Sequence, residues 1–387
     1  MVRPDYSCGN IVNLMSSLSA GLGRPASGIY PPLALLPPEE IAAANNVVLL
    51  VVDGMGYDFL CTCGGGGPLH AHLRGRLSSV FPPTTASALT SILTGTAPQQ
   101  HGVTGWFMYL REIGAVTAFL PFRPRCGGPS LDHNGLSPAQ FIGERSWFST
   151  LGVASYLLNR ADLVDSPYAK AVAGGATRVG YRDLFDCMAS IRRITGEGTR
   201  RKYICAYWPE LDALAHAHGI ASKPVAVHLR QLEQAFADLI TSLRGSDTLL
   251  LVTADHGLVD TQPQHALRLE AHPTLLHALA LPLCGEPRAA YCYLRPGHTE
   301  AFERYLADHL SDCCRVYRSE DLIHQGWFGN GPPAARLGER VGDYVLVPRA
   351  DYVIKDQVPG ERPWTQIGVH GGTSSAELYV PLLVART

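Results

Sequence analysis

The chain has 387 residues, of which 46% are hydrophobic and 17% are charged, and its formal net charge is -2. The near-neutral charge argues against a nucleic-acid-binding surface, and no apolar run approaches the roughly 18 residues that span a bilayer, so we expect neither nucleic acid nor membrane as a partner. A chain of this length exceeds the size at which one core stops growing, so we expect a soluble α/β enzyme with one large domain and insertions, or with two domains.

The amino-terminal segment, MVRPDYSCGNIVNLMSSLSAGLG, lacks a basic cluster followed by an apolar core and a cleavage site. We therefore expect no signal peptide and a cytoplasmic location. The chain contains ten cysteines, which we interpret as reduced thiols used as small apolar residues, as for Cys205 and Cys292 in predicted strands. Cys61 and Cys63 are interpreted as loop cysteines, and a third metal site or a redox pair is the alternative.

The first strong element is NVVLLVVDGMG, an apolar run that closes on Asp53 and a glycine turn. This pattern predicts a buried parallel strand whose carboxyl end faces a ligand crevice, and Asp53 would point into that crevice. The alternative for Asp53 alone is a helix cap or a turn former.

The next element begins after Pro82 and Pro83, which disfavour helix before Thr84, and the apolar spacing that follows predicts a helix up to Gly95. Threonines therefore occupy a helix N-terminus, where unpaired amides and the helix dipole favour an anion. A metal-bound hydroxyl there is a plausible attacking group. The alternative is that Thr84 or Thr85 is only an N-cap.

Residues 106–200 open with glycine and proline breaks and few periodic stretches, which predicts strands and loops over the site. Trp106 could stack on a base or an aryl group, and Arg123 and Arg125 could meet a substrate phosphate or carboxylate. The alternative is that the aromatic side chain packs internally and the arginines are solvated.

The segment RKYICAYWPELDALAHAHG predicts a strand that runs into a helix, on which Asp212 and His216 are four residues apart and share one face. His218 would face elsewhere. A further amphipathic helix from Pro224 to Leu243 should cover a face of the sheet. Two more candidate ligands, Asp255 and His256, follow the next predicted strand.

The remaining chain alternates strand and helix patterns before it returns to the core at IGVHGG, which presents His370 beside glycines. We expect a small α+β cap at residues 271–355 that shapes the substrate pocket. The catalytic core would then comprise residues 1–270 and 356–387, with the insertion at about 106–200. His265, His272 and His277 lack ligand spacing and are interpreted as structural or exposed.

Side chains that can bind metal thus lie in separated segments at or near predicted strand ends, and so many residues of this kind are hard to attribute to chance. They are Asp53, Asp212, His216, Asp255, His256 and His370. Imidazole nitrogen and carboxylate oxygen suit zinc, with manganese as the alternative. We assign Asp212, His216 and His370 to one divalent ion, and Asp53, Asp255, His256 and the Thr85 oxygen to the other.

In the order and spacing of these segments the chain resembles the type I phosphodiesterase/nucleotide pyrophosphatase family of the alkaline phosphatase superfamily. The family's T-G-x-x-P-x-x-H-G run is similar to the segment from Thr94 to Gly102, and counting back from it selects Thr85 over Thr84 as the nucleophile. The family's ligand motifs D-x-x-x-H, A-D-H-G and H-G-G match the segments that carry the ligands named above. Nucleotide-hydrolysing relatives carry an asparagine that holds a phosphate oxygen at a position that corresponds here to Trp106.

The resemblance implies an alkaline phosphatase-like layered sheet with helices on both faces, plus the inserted α+β cap. It also implies hydrolysis of a phosphodiester or pyrophosphate bond in a small, nucleotide-like molecule, in which Thr85 attacks phosphorus and forms a phosphothreonine intermediate. Phosphomonoester or phosphonate hydrolysis on the same two-metal site is the nearest alternative, followed by a phosphosugar mutase. The sequence indicates neither the physiological substrate nor the oligomeric state.

Overall fold

A computed structural model describes residues 1–24, 28–361 and 365–387 of the chain. The strands, in chain order, are β1 (Asn46–Val52), β2 (Leu73–Ser78), β3 (Phe107–Leu110), β4 (Ala115–Ala118), β5 (Arg123–Pro124), β6 (Ala154–Arg160), β7 (Thr177–Tyr181), β8 (Lys202–Trp208), β9 (Thr248–Thr253), β10 (Val259–Asp260), β11 (Ala266–Arg268), β12 (Cys284–Glu286), β13 (Ala289–Cys292), β14 (Cys314–Arg318), β15 (Tyr344–Pro348), β16 (Val353–Lys355), β17 (Gly368–Val369) and β18 (Tyr379–Arg386).

The α-helices are α1 (Ile11–Gly21), α2 (Pro38–Ala42), α3 (Tyr57–Cys63), α4 (Pro68–Ala71), α5 (Thr85–Thr94), α6 (Pro98–His101), α7 (Pro167–Val172), α8 (Leu184–Gly196), α9 (Glu210–His218), α10 (Lys223–Ser242), α11 (Pro273–Ala278), α12 (Thr299–His309), α13 (Ser319–His324), α14 (Leu337–Val341) and α15 (Ser375–Leu378). Short 3-10 helices lie at Leu131–Asn134, Pro138–Gln140, Trp147–Thr150, Pro263–His265 and Leu269–Ala271.

The central sheet has seven strands in the order β2-β18-β9-β1-β8-β6-β7. The strands from β9 to β7 run parallel to one another, whereas β18 runs antiparallel to both of its neighbours. Every residue of β1, β8 and β9 is buried. Because side chains alternate between the two faces of a strand, both faces of the sheet are covered at its centre. The predicted α/β core with a central sheet and packed helices is confirmed.

A second sheet of seven strands has the order β14-β15-β13-β12-β3-β4-β5, with all pairs antiparallel. Its strands come from two distant parts of the chain, since β3 to β5 precede β6 whereas β12 to β15 follow β9. Two short ladders, β10 with β17 and β11 with β16, lie outside these sheets.

The sequence predicted that all of residues 106–200 form strands and loops over the site, and the topology differs from this in the second part of the segment. The strands β6 and β7 extend the central sheet, and the helix α8 follows them. Most residues of the edge strand β7 are exposed, so it lacks the apolar run that marks a core strand. Within the predicted cap at 271–355, the strands β12 to β15 share their sheet with β3 to β5, and β16 pairs with β11. The division into core and cap stays a prediction.

The amphipathic helix predicted from Pro224 to Leu243 corresponds to α10, which buries Leu229, Leu232 and Phe236 among other residues. Cys61 and Cys63 lie in α3 and not in a loop, which corrects the sequence interpretation. In the part of the chain that the structure describes, no helix combines the length and the apolar character needed to cross a membrane.

Candidate metal centre

The candidate ligands converge at one edge of the central sheet. Asp53 directly follows β1, Asp255 and His256 follow β9, and α9 with Asp212 and His216 follows β8. These strands are neighbours and run parallel, so their carboxyl ends meet at the same edge. Side chains that are far apart in the sequence are thereby brought together by three adjacent strands.

The first group consists of Asp53, Asp255 and His256, which are all buried and whose candidate ligand atoms lie within 4.8 Å of one another. His256 Nε2 is 3.2 Å from Asp53 Oδ1 and 3.6 Å from Asp255 Oδ2. His256 Nδ1 lies 3.1 Å from the Gly257 carbonyl oxygen. Because that oxygen can only accept, Nδ1 carries the hydrogen, and in the neutral ring Nε2 presents a lone pair toward the carboxylates.

The two carboxylates of this group are held by donors from the protein. Asp255 Oδ1 accepts from the backbone N–H groups of Gly54 (3.1 Å) and His256 (3.0 Å), while Asp255 Oδ2 is buried without a hydrogen-bond partner. The hydroxyl of Tyr207 donates to Asp53 Oδ2. The orientation of both side chains is therefore fixed by neighbours, and one buried oxygen of Asp255 is left without a partner.

The second group consists of Asp212, His216 and His370, again with candidate ligand atoms within 4.8 Å of one another. His216 Nε2 is 3.0 Å from Asp212 Oδ2, and its Nδ1 is 2.7 Å from the Gly368 carbonyl oxygen. Asp212 Oδ1 and His370 Nδ1 are buried and have no hydrogen-bond partner. The His370 ring stacks on that of His256 with centroids 3.7 Å apart, so the two groups adjoin.

These observations fit a cation in each group. A buried polar atom without a partner is costly, and a histidine lone pair that faces carboxylate oxygens is repelled by them unless a proton or a cation lies between. Histidine nitrogen and carboxylate oxygen are suitable donors for such an ion. The structure thus brings together all of the ligands expected from the sequence, in the two sets that were assigned.

Thr85 is the first residue of α5, and its side chain faces the first group. Thr85 Oγ1 is 3.1 Å from His256 Nε2 and 3.5 Å from both carboxylate oxygens of Asp53. The hydroxyl of Thr84, by contrast, donates to Glu286 Oε1 at 2.6 Å. Of the two threonines that the residue pattern left open, Thr85 is therefore the one next to the candidate ligands.

Burial shifts the pKa values of the candidate ligands. It raises the pKa of Asp53 to about 8, with a further contribution from the charge of Asp212, and raises that of Asp255 well above its usual range. Burial lowers the pKa of His216, but the charge of Asp212 and a hydrogen bond to it outweigh this and raise it to about 9. Burial raises the pKa of Asp212, but His216 outweighs this and lowers it. Burial lowers the pKa of His370.

We expect the metal-free protein to lose stability as the pH rises from about 6.5 to about 8. Asp53 has a folded-state pKa of about 8 against an ordinary value of 3.8, and His216 one of about 9 against 6.5, so the folded state binds more protons than the unfolded state in this interval. The free energy of unfolding then falls as the pH rises. The lowered pKa of His370 makes the free energy of unfolding rise with pH, but mainly below pH 6.5, outside this interval.

Urea unfolding midpoints, measured in the presence of a chelator at the two ends of this pH interval, would check the expectation. A midpoint that rises with pH would contradict it. Saturation with zinc should remove the decrease, because a cation favours the ionised carboxylates that the metal-free site disfavours.

A cavity of about 700 Å³ opens from the candidate metal groups. Much of its lining is apolar, and Arg268 and Lys355 also line the cavity. The apolar lining includes Leu89, Trp106, Phe107, Leu120, Leu163 and Val369. Trp106 is 37% exposed, so its predicted contact with a substrate is compatible with its position and stays a prediction.

Neither Arg123 nor Arg125 is among the described residues that line this cavity. Arg123 is exposed. The buried guanidinium of Arg125 forms 2.7 Å ion pairs with Asp356 and Glu361, and it also stacks on the ring of Phe107. The geometry therefore does not support the prediction that these arginines contact substrate, because Arg123 is exposed outside the cavity lining and Arg125 is engaged by protein carboxylates.

Two residues near the centre were not identified from the sequence. Tyr207 lies in β8, where an aromatic residue in an apolar run looks like core. Glu286 is a buried acid that accepts from the Thr84 hydroxyl and, at 2.7 Å, from the Trp106 N–H. The available signal was an acidic residue followed by Pro287 in an otherwise apolar stretch. His101, the last residue of α6, accepts from the Val103 N–H through Nδ1.

The model of the family "Type I phosphodiesterase / nucleotide pyrophosphatase" matches residues 47–373 of the chain. No curated protein matches the chain. Among solved structures, murine ectonucleotide pyrophosphatase / phosphodiesterase 5 is 18% identical, with a TM-score of 0.66 and 87% of each chain covered. Phosphonoacetate hydrolase from Sinorhizobium meliloti 1021, in complex with phosphonoformate, is 16% identical, with a TM-score of 0.61, covering 88% of this chain and 90% of that one. Both share the alkaline phosphatase-like fold with this chain.

Proposed function

The chain belongs to the type I phosphodiesterase/nucleotide pyrophosphatase family and is a hydrolase, and we propose that it cleaves a phosphodiester or pyrophosphate bond in a small molecule with Thr85 as the nucleophile. The observation that carries the proposal is the position of Thr85 Oγ1, 3.1 Å from His256 Nε2 and beside Asp53, at the edge of two Asp/His groups. A hydroxyl in such surroundings is a suitable nucleophile for phosphoryl transfer.

The residues would hold two divalent ions, with zinc favoured and manganese as the alternative. Asp212, His216 and His370 form one set, and the other set comprises Asp53, Asp255, His256 and the Thr85 oxygen. When bound, such ions neutralise charge on phosphoryl oxygens and lower the pKa of a coordinated hydroxyl or water. The buried atoms without partners, Asp212 Oδ1, Asp255 Oδ2 and His370 Nδ1, support this assignment.

The protein itself positions the reacting groups. Asp53 and His256 orient the Thr85 hydroxyl from one side. The first hydrogen bond within α5 runs from the Ala88 N–H to the Thr84 carbonyl oxygen. The N–H groups that precede Ala88 therefore have no acceptor in the helix and can donate to phosphoryl oxygens. Attack by Thr85 Oγ1 on phosphorus breaks the bond to one leaving oxygen and forms a phosphothreonine that still carries the other substituent of the substrate. Water then hydrolyses the bond between this phosphorus and Thr85.

A second candidate is hydrolysis of a small phosphonate. Trp106 occupies the position at which nucleotide-hydrolysing relatives carry an asparagine, and it contributes its backbone N–H to Glu286. Arg268 and Lys355 line the cavity, where they could meet a second anionic group such as a carboxylate. These two features favour a phosphonate over a phosphomonoester as the alternative substrate class. The cytoplasmic location expected from the sequence stays a prediction.

A substrate panel tests the proposal. We expect the zinc-loaded protein to hydrolyse bis(p-nitrophenyl) phosphate or a dinucleoside pyrophosphate faster than p-nitrophenyl phosphate, because a cavity of about 700 Å³ can accommodate the second substituent of a diester. Phosphonoacetate is included as a further substrate, and faster cleavage of it than of the diesters would favour the second candidate, phosphonate hydrolysis. Product release, measured with zinc, with manganese and with excess chelator, is the readout. Failure to cleave any of these substrates with either ion would reject the proposed function.

A further inference from the structure

The turn between β12 and β13 in the second sheet contacts both the helix that carries Thr85 and the loop that carries His370. Glu286 and Ala289 pair across this hairpin, so Pro287 and Arg288 form its turn. We propose that the Glu286–Arg288 turn is a positioning element for the metal centre, in which Arg288 holds the His370 loop and Glu286 holds the head of α5. This inference rests on the proposed function and adds the residues that keep its catalytic groups in place.

Arg288 forms a buried, two-pronged ion pair with Glu377. Its Nε donates to Glu377 Oε1 at 2.9 Å and its Nη2 to Glu377 Oε2 at 2.7 Å. The side chains are 2% and 0% exposed, respectively. Nη1 donates to the Tyr352 carbonyl oxygen at 2.6 Å, which anchors the guanidinium from the other side. A pair of this geometry has a single favoured arrangement, since both prongs must align together.

Glu377 in turn links the loops that carry ligands of both groups. Its Oε1 accepts from the Gly372 N–H at 2.8 Å, two residues after His370. Its backbone carbonyl accepts from the Gly257 N–H at 2.8 Å, one residue after His256. The Arg288–Glu377 pair therefore connects the second sheet to His370 and, through the backbone, to His256.

The glycines after His370 allow this close approach. Gly371 has a φ of +105°, and a Cβ placed on it would lie 2.8 Å from the Cβ of Glu286. A Cβ on Gly372 would lie 2.7 Å from Glu377 Oε1 and 3.0 Å from Arg288 Nε. The loop thus lies directly against the Glu286–Arg288 turn, at a separation that no side chain would permit.

Glu286 contacts the other half of the centre. It is buried, and its Oε1 accepts from the Thr84 hydroxyl at 2.6 Å and from the Trp106 N–H at 2.7 Å. Thr84 directly precedes Thr85, the first residue of α5. One carboxylate oxygen thereby fixes the start of the nucleophile helix relative to the turn that also holds Arg288.

The first experiment measures zinc affinity, by competition with a chromogenic chelator, in Arg288→Met, Arg288→Lys and the control Arg340→Met. Arg340 is a matched control because its side chain is 3% exposed and pairs at 2.5 Å with Glu112, which lies in the turn between β3 and β4 and belongs to neither metal group. Loss of groups that orient metal ligands lowers affinity by about 10- to 100-fold, and we expect this for Arg288→Met. Arg288→Lys should recover part of the loss, and Arg340→Met should bind zinc like the unaltered protein.

Zinc affinity of Arg288→Met within about twofold of the unaltered protein would overturn the inference, because Arg288 would then serve stability alone. The double variant Arg288→Met/Glu377→Gln keeps the test open if the single variant does not fold, since it leaves no buried charge without a partner. We expect the same loss of zinc affinity in the double variant, and normal affinity there would also overturn the inference.

The second experiment compares Glu286→Ala with Glu286→Gln in the zinc-loaded protein. The alanine variant should lower kcat by about 10- to 100-fold with little change in KM, because a small displacement of the nucleophile is costly. Glutamine retains an oxygen that accepts from Thr84 and Trp106, so it should restore most of the kcat. Equal losses in both variants would overturn the positioning role. If the unaltered protein hydrolyses no phosphoester, the proposed function fails, whereas the zinc measurement on Arg288 still stands.

Discussion

Replacing Thr85 with alanine is expected to lower kcat for a phosphodiester by at least about 1,000-fold, as removal of a nucleophile does in other enzymes, and to leave metal content largely unchanged. The physical reason is the position of the Thr85 hydroxyl beside the candidate metal ligands. Thr85 Oγ1 lies 3.1 Å from His256 Nε2 and 3.5 Å from Asp53, whereas the neighbouring Thr84 hydroxyl is engaged by Glu286. Thr84 could take over only by breaking that hydrogen bond.

Steady-state hydrolysis of bis(p-nitrophenyl) phosphate, together with metal analysis, checks this expectation. Thr94→Ala is the matched control, since Thr94 lies in the same helix, is buried, and has only local hydrogen bonds: its hydroxyl donates to the Thr90 carbonyl oxygen and accepts from Thr96. Its activity should match that of the unaltered protein. Thr85→Ser keeps a hydroxyl at the same place and should retain part of the activity. A fully active Thr85→Ala protein would reject Thr85 as the nucleophile.

The second large effect is expected on removal of a metal ligand. Asp53→Ala and His216→Ala should each lower the zinc content from about two equivalents to about one and reduce kcat on the order of 1,000-fold or more, because a bound ion supplies several kcal/mol of charge stabilisation. Asp53 belongs to one group and His216 to the other, so the two variants should lose different ions.

Zinc stoichiometry, measured after dialysis, is the direct readout for these variants. His265→Ala serves as the control, because His265 pairs with Asp351 at 2.8 Å but belongs to neither group. It should keep two equivalents of zinc and its activity. If Asp53→Ala and His216→Ala retained both equivalents, the assignment of ligands would be wrong.

The position of the candidate ligands could be predicted because it follows from a local pattern and a general property of parallel sheets. Apolar runs that end in Asp53 or Asp255 mark buried strands, and the carboxyl ends of such strands share one edge. The (i, i+4) spacing of Asp212 and His216 placed both on one face of α9. Each inference needed only residues that are close in sequence.

The remaining features depend on contacts between distant segments. Glu286 and Arg288 reach the site from a different sheet, and the sequence around them does not reveal that Gly371 will pack against their turn. The pairing of β12 with β3 joins segments that no short-range pattern connects. Strand pairing depends on packing between elements rather than on local preference, so the second sheet could not be assembled from the sequence alone.

The placement of β18 inside the central sheet has a consequence for how the protein is made. β18 joins β2 to β9, yet it is synthesised long after both. Until residues 379–386 have left the ribosome, the nascent chain exposes the edges of β2 and β9, which are open to pairing with other chains. Completion of the catalytic sheet is therefore a late event in biosynthesis, and chaperones that shield these edges would raise the yield of folded protein.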